Sequence, residues 1–75
     1  MEDFLRFFDS KVSSGYYMRL EIGYNKVAGY CIRVYHKGMG PDGEDQNLAY
    51  VQDSDIELAF AKAHVQLKKW LRDSQ

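Results

Sequence analysis

The residues of this chain best suited to chemistry are one thiol, two imidazoles and a short acidic run: Cys31, His36, His64 and Asp42-Gly43-Glu44-Asp45. A thiol or hydroxyl nucleophile is weak without an adjacent base. Cys31 and His36 stand five residues apart on a segment whose pattern alternates, which places their side chains on opposite faces of one strand. They make no nucleophile–base pair. Two histidines and one cysteine fall short of the four ligands of a structural zinc site, and their spacing matches no zinc pattern. The acidic run offers oxygen to a hard cation but lacks the longer alternation and closing glutamate of a calcium loop. Gly38-Met39-Gly40 likewise lacks the second half of either Gly-rich phosphate motif. The expectation is a non-catalytic chain with no metal, cofactor or small-molecule substrate. In it Cys31 is a small, partly buried thiol and the two histidines serve packing or surface roles.

The elements that must hold these residues follow from periodicity. Leu5, Phe8 and Val12, widened by Phe4 and Phe7, recur at helical spacing over residues 2 to 13, and Ser13-Ser14-Gly15 supplies the stop. From Tyr16 to Tyr24 the period changes to two, with Met18, Leu20, Ile22 and Tyr24 alternating with Tyr17, Arg19, Glu21 and Gly23. Residues 29 to 36 repeat that pattern, with Tyr30, Ile32 and Val34 on one face and Cys31, Arg33 and Tyr35 on the other. The link through Asn25-Lys26 predicts a hairpin. Residues 37 to 46, rich in Gly and Asp, predict a mobile loop. A third strand spans 47 to 52; Leu48 and Tyr50 share one face and Ala49 and Val51 the other, and the pattern leaves open which pair faces the core.

The last helix opens on Ser54 and Glu57, spaced as a capping box. Ile56, Ala59, Phe60, Ala63, Leu67, Trp70 and Leu71 fall on one face of it, which is core. The resulting fold class is α+β, in the order α-β-β-β-α, with a three-stranded antiparallel sheet and both helices packed on one face.

Composition bounds what such a domain does. At 75 residues the chain is one small domain, and it buries only about 60% of its unfolded surface, which leaves little room for a deep cleft. Ten basic and eleven acidic residues give a net charge of −1, against a broad positive field for nucleic acid or anionic membrane. No apolar run approaches the roughly 18 to 20 residues a membrane span needs. One cysteine makes no internal disulfide, and Met1-Glu2-Asp3 is acidic where a secretory signal is positive. A cytoplasmic setting is expected.

Two surfaces stand out as binding candidates. The outer sheet face carries Tyr17, Arg19, Arg33 and Tyr35, aromatic and guanidinium groups of the kind that anchor interfaces and stack bases. The last helix has a second apolar row, Leu58, Ala61 and Val65, opposite its core face and bordered by Lys62, Lys68, Lys69, Arg72 and Asp55. A short chain has little material to cover both faces of a helix, so that row is expected to meet a protein partner or a second copy.

The element order resembles that of double-stranded-RNA-binding domains, which use the first helix and the start of the last helix on RNA. The resemblance covers element order only. That family opens its closing helix with lysines, whereas here the start is Asp53-Ser54-Asp55-Ile56-Glu57, and Gly40-Pro41-Asp42-Gly43 comes a strand later than the family's Gly-Pro-x-His element. The order also resembles that of some small phage-encoded inhibitors, which act by occupying a host protein's surface. The expected function is therefore a non-catalytic protein-interaction module, a small regulator or inhibitor working by surface binding or dimerisation. The alternative is a nucleic-acid-binding module using Tyr17 and Tyr35 for stacking and Arg19, Lys26, Arg33 and Lys37 for phosphates.

Overall fold

The computed structural model describes residues 2–15 and 17–73. Its elements are helix α1 (Glu2–Ser13), strands β1 (Arg19–Asn25), β2 (Gly29–His36) and β3 (Gln46–Asp53), and helix α2 (Ile56–Asp73), with one 3-10 turn at Pro41–Gly43 between β2 and β3. The order is the predicted α-β-β-β-α. The sheet is antiparallel in the order β1-β2-β3, so β1 and β3 are its edges.

Helix α1 stops where its sequence says it should. Ser14 N–H reaches Ser10 C=O, Gly15 N–H reaches Val12 C=O, and Gly15 takes a φ of +110°, a conformation glycine reaches without a Cβ penalty. The stripe it buries is rotated from the expected one. Phe4 is buried and Phe7 and Phe8 are half-buried, while Leu5 and Val12 are exposed. The cause is that α1 approaches α2 and no strand: Phe4 meets Phe60 at 5.4 Å between ring centroids. At 100° per residue, turning Phe4 toward α2 also turns Phe7 and Phe8 inward and carries Leu5 and Val12 to the margin.

Tyr16, where the pattern starts the first strand, lies outside the described residues, and β1 begins at Arg19. The hairpin between β1 and β2 is built by Asn25, whose Oδ1 accepts the N–H groups of Val27 and Ala28 at 3.0 and 2.6 Å. Gly29 then leaves the turn at φ +80°. Its neighbour is the end of β3: a Cβ placed on Gly29 would stand 2.6 Å from the Asp53 carbonyl oxygen and 2.7 Å from Ser54 Cα. Both position and space demand glycine.

The third strand settles its own facing through a bulge. Val34 pairs with Ala49 but Tyr35 pairs with Asn47, so Leu48 is an extra residue on β3. Ala49 and Val51 face the core as partners of Val34 and Ile32, and the bulge turns Leu48 inward as well. Tyr50 and Gln52 point outward.

Helix α2 lies over β2 and β3. Ala59, Phe60, Ala63, Leu67 and Leu71 are buried on it, with Ile56 and Trp70 half-buried, as the periodicity predicts. Its cap is shifted by one residue. β3 continues to Asp53, whose Oδ1 accepts Asp55 N–H at 2.9 Å; Asp55 then becomes the N-cap, accepting the N–H groups of Glu57 and Leu58 at 2.9 and 3.2 Å. Ser54 is not part of a capping box. The segment 37 to 46 carries internal hydrogen bonds: Gly40 N–H bonds to Glu44 C=O at 2.7 Å and Gly38 N–H to the Asp45 carboxylate at 3.1 Å. Among the described residues no helix is long and apolar enough to cross a membrane.

Gly29→Ala should cost about 2 kcal/mol or more, since it adds positive-φ strain to a backbone clash. For a domain of this size that lowers the melting temperature by roughly 10 °C. Gly23→Ala, with nothing within 4 Å of its Cβ, should melt close to the parent chain and serves as the control.

Candidate functional site

The four candidate residues of the outer sheet face are brought together. Arg19 pairs with Tyr35 across β1 and β2, and the Arg33 guanidinium sits 4.0 Å from the Tyr35 ring centroid. Tyr17, just before β1, is 69% exposed and, with Tyr35 second, holds the Arg19 guanidinium further toward its charged form. Arg33 is the centre of the patch. Its Nε donates to Asn47 Oδ1 at 2.8 Å, one terminal nitrogen donates to the Asp45 carboxylate at 3.0 Å, and the other stands 3.9 Å from Glu21. Asp45, in turn, is pulled below the usual carboxylate range by the Gly38 N–H first and by Arg33 next. Arg33 therefore ties the 37–45 segment to the sheet, with two of its five N–H donors engaged within the chain. Asn47 was not among the sequence candidates, and Asp45 entered only as part of the acidic run; the bulge between Val34 and Tyr35 brings Asn47 opposite Tyr35.

Helix α2 presents four different sides, as its 100° periodicity dictates. The inner side is the core. The outer side carries Leu58 and Val65, 52% and 67% exposed, with Ala61 exposed between them. This is the predicted second apolar row, and it is uncovered. A shallow depression of roughly 350 Å³, lined by Ala61, Lys62, Val65 and Gln66, runs beside it toward β3.

The two flanks of α2 do separate work that the sequence pattern did not single out. On one, Gln66 Oε1 accepts the backbone N–H of Tyr50 at 2.9 Å, and Lys62 Nζ reaches the Asp53 carboxylate at 2.6 Å. Lys62 foremost, then the Asp55 N–H, holds Asp53 below the usual carboxylate range. This flank covers the free edge of β3 at Tyr50 and pins the strand's end at Asp53. On the other flank His64 faces α1, with its ring 4.9 Å from Phe7 and edge-on to Phe4 at 6.1 Å. Its Nε2 is buried with no hydrogen-bond partner among the described residues. Lys11 and Lys68 both stand 5.4 Å from the Phe7 ring centroid, framing the same contact.

His36 packs edge-on against Trp70 at 5.6 Å, on the helix side of the sheet, while Cys31 lies half-buried on the other. Among the described residues no group of three His, Cys, Asp or Glu side chains gathers as a metal site. No protein-family model matches the chain, and no curated protein or solved structure matches it either. The site must be read from its own residues.

Burial foremost, then the positive charge of Lys68, pushes the His64 imidazole below its ordinary value of 6.5; Asp3 opposes the shift. A His that stays neutral longer in the folded chain than in the unfolded one gives stability that is full above the unfolded pKa and falls as pH drops toward the folded one. Thermal melts should therefore show stability declining as pH falls below about 6.5, before carboxylates titrate. His64→Gln should flatten the melting temperature across this window.

Proposed function

We propose that this chain is a non-catalytic protein-interaction module, a small regulator or inhibitor that acts by covering a surface of a folded protein. The observation that carries this reading is the row Leu58, Ala61 and Val65: an exposed apolar ridge on a helix fixed along both flanks and along its inner side. Such a ridge loses little conformational freedom on docking, so apolar contact converts efficiently into affinity. Lys68, Lys69 and Arg72 lie toward the C-terminal end of the same helix. The partner that fits is a protein with an apolar groove and an acidic rim. Tyr17 and Arg19, exposed on the sheet face, supply a second contact of the type that carries much of an interface's energy. Arg33 and Tyr35 support them from beneath. A reducing cytoplasmic setting suits the free Cys31.

The nucleic-acid alternative draws less support. Arg33, one of its phosphate candidates, is engaged by Asp45 and Asn47, and Glu21 adds negative charge to the same face.

The test is the double variant Leu58→Asp with Val65→Asp. Both side chains are exposed, so the melting temperature should stay within a few degrees of the parent. Immobilised parent chain should retain a protein from a source lysate at a defined stoichiometry, and the variant should lose it. A variant that folds and retains the same protein equally well removes the ridge from the interface.

A further inference from the structure

The two edges of the sheet are treated differently. On β3, the Tyr50 N–H is taken by Gln66 and the strand's end is pinned through Asp53 and Lys62. On β1, among the described residues, no hydrogen bond from outside β2 reaches the backbone, and α1 approaches no strand. Of the features that protect an edge, β1 has only the outward charges of Arg19 and Glu21: Arg19–Asn25 contains no proline and no charge on its helix-side face, and its ladder to β2 has no bulge. Its helix-side face is incompletely covered. Ile22 is 48% exposed although its ladder partner Ile32 is fully buried, and Tyr24 is 65% exposed beside Tyr30.

We propose that β1 pairs antiparallel with β1 of a second copy, about a two-fold axis at Ile22, so that two three-stranded sheets join into one. An open strand edge is a row of unpaired N–H and C=O groups, and its natural complement is another extended strand. The second copy fits because Arg19–Asn25 is complementary to itself in this register. Ile22 meets the second copy's Ile22 and Leu20 meets its Tyr24, so the exposed apolar side chains cover one another on the helix side. On the outer side Arg19 meets Asn25 and Glu21 meets Gly23, and no like charges stand directly opposite. A net charge of −1 per copy gives little long-range repulsion. Because the two-fold contact uses the same edge of both copies, pairing through β1 ends at two copies instead of running on as a fibre. This contact is separate from the α2 ridge, and each surface remains free when the other is occupied.

Ile22→Lys and Ile22→Glu test the proposal, with mass measured by analytical ultracentrifugation over a range of concentrations. The parent chain should move from monomer to dimer as concentration rises. Each variant alone should stay monomeric, because the axis places two like charges against each other. An equimolar mixture of the two should restore the dimer by setting Lys against Glu. Circular dichroism of each dilute variant checks the fold, and concentration-dependent amide protection along β1 of the parent chain gives a readout that needs no substitution. A parent chain that is monomeric up to its solubility limit overturns the proposal. So does a dimer that survives in both single variants, or a mixture that fails to restore what the singles lose.

Discussion

Seating α2 over β2 and β3, instead of across the middle of the sheet, decides which surfaces of this chain are closed and which stay open. The contact is made by small residues as much as by large ones: Ala59 and Ala63 are fully buried and let the helix approach closely, while Phe60 and Leu67 join Ile32 and Val34 in the same buried core. Each large side chain buried this way contributes roughly 2 kcal/mol, more than the helix cap at Asp55, so packing and not capping fixes where α2 lies. Once it lies there, Gln66 and Lys62 reach β3, His64 turns toward α1, and Leu58 and Val65 face away. One inner contact sets all four sides.

The cost of that placement falls on β1. With α2 displaced toward β3, Met18 just before β1 is buried and Leu20 half-buried, but coverage ends before Ile22 and Tyr24. The opposite face of the sheet is organised without any helix. Arg33 draws Asp45, Asn47, Glu21 and Tyr35 around itself, replacing an apolar layer with charge-assisted hydrogen bonds. The glycine-rich segment after β2 is thereby fastened down and leaves Tyr17 and Arg19 as the more exposed members of that face.

Much of the fold is legible in the sequence because periodicity is a local property. The bounds of α1 and β2 and the inner face of α2 follow from spacing alone. What was not legible depends on neighbours. Which of Leu5, Phe4 or Val12 enters the core is set by the direction from which α2 arrives, which no local pattern contains. The facing of β3 rests on a one-residue bulge that only pairing with β2 reveals. The cap moved from Ser54 to Asp55 because β3 persists to Asp53, a matter of where a strand ends. Of the candidate site, the ridge and the sheet-face cluster could be read from residue types. The sealing of one edge by Gln66, and the openness of the other at Ile22, could not.

Helix α2 covers the β3 edge at Tyr50 and leaves the β1 edge open. Amide hydrogen exchange followed by NMR at low protein concentration measures this directly at Tyr50. Strong protection of the Tyr50 N–H is expected, lost on Gln66→Ala, with β1 amides that point away from β2 exchanging quickly in both proteins. A Tyr50 amide that exchanges as fast as those of the open edge, or whose protection is unchanged by Gln66→Ala, would contradict it.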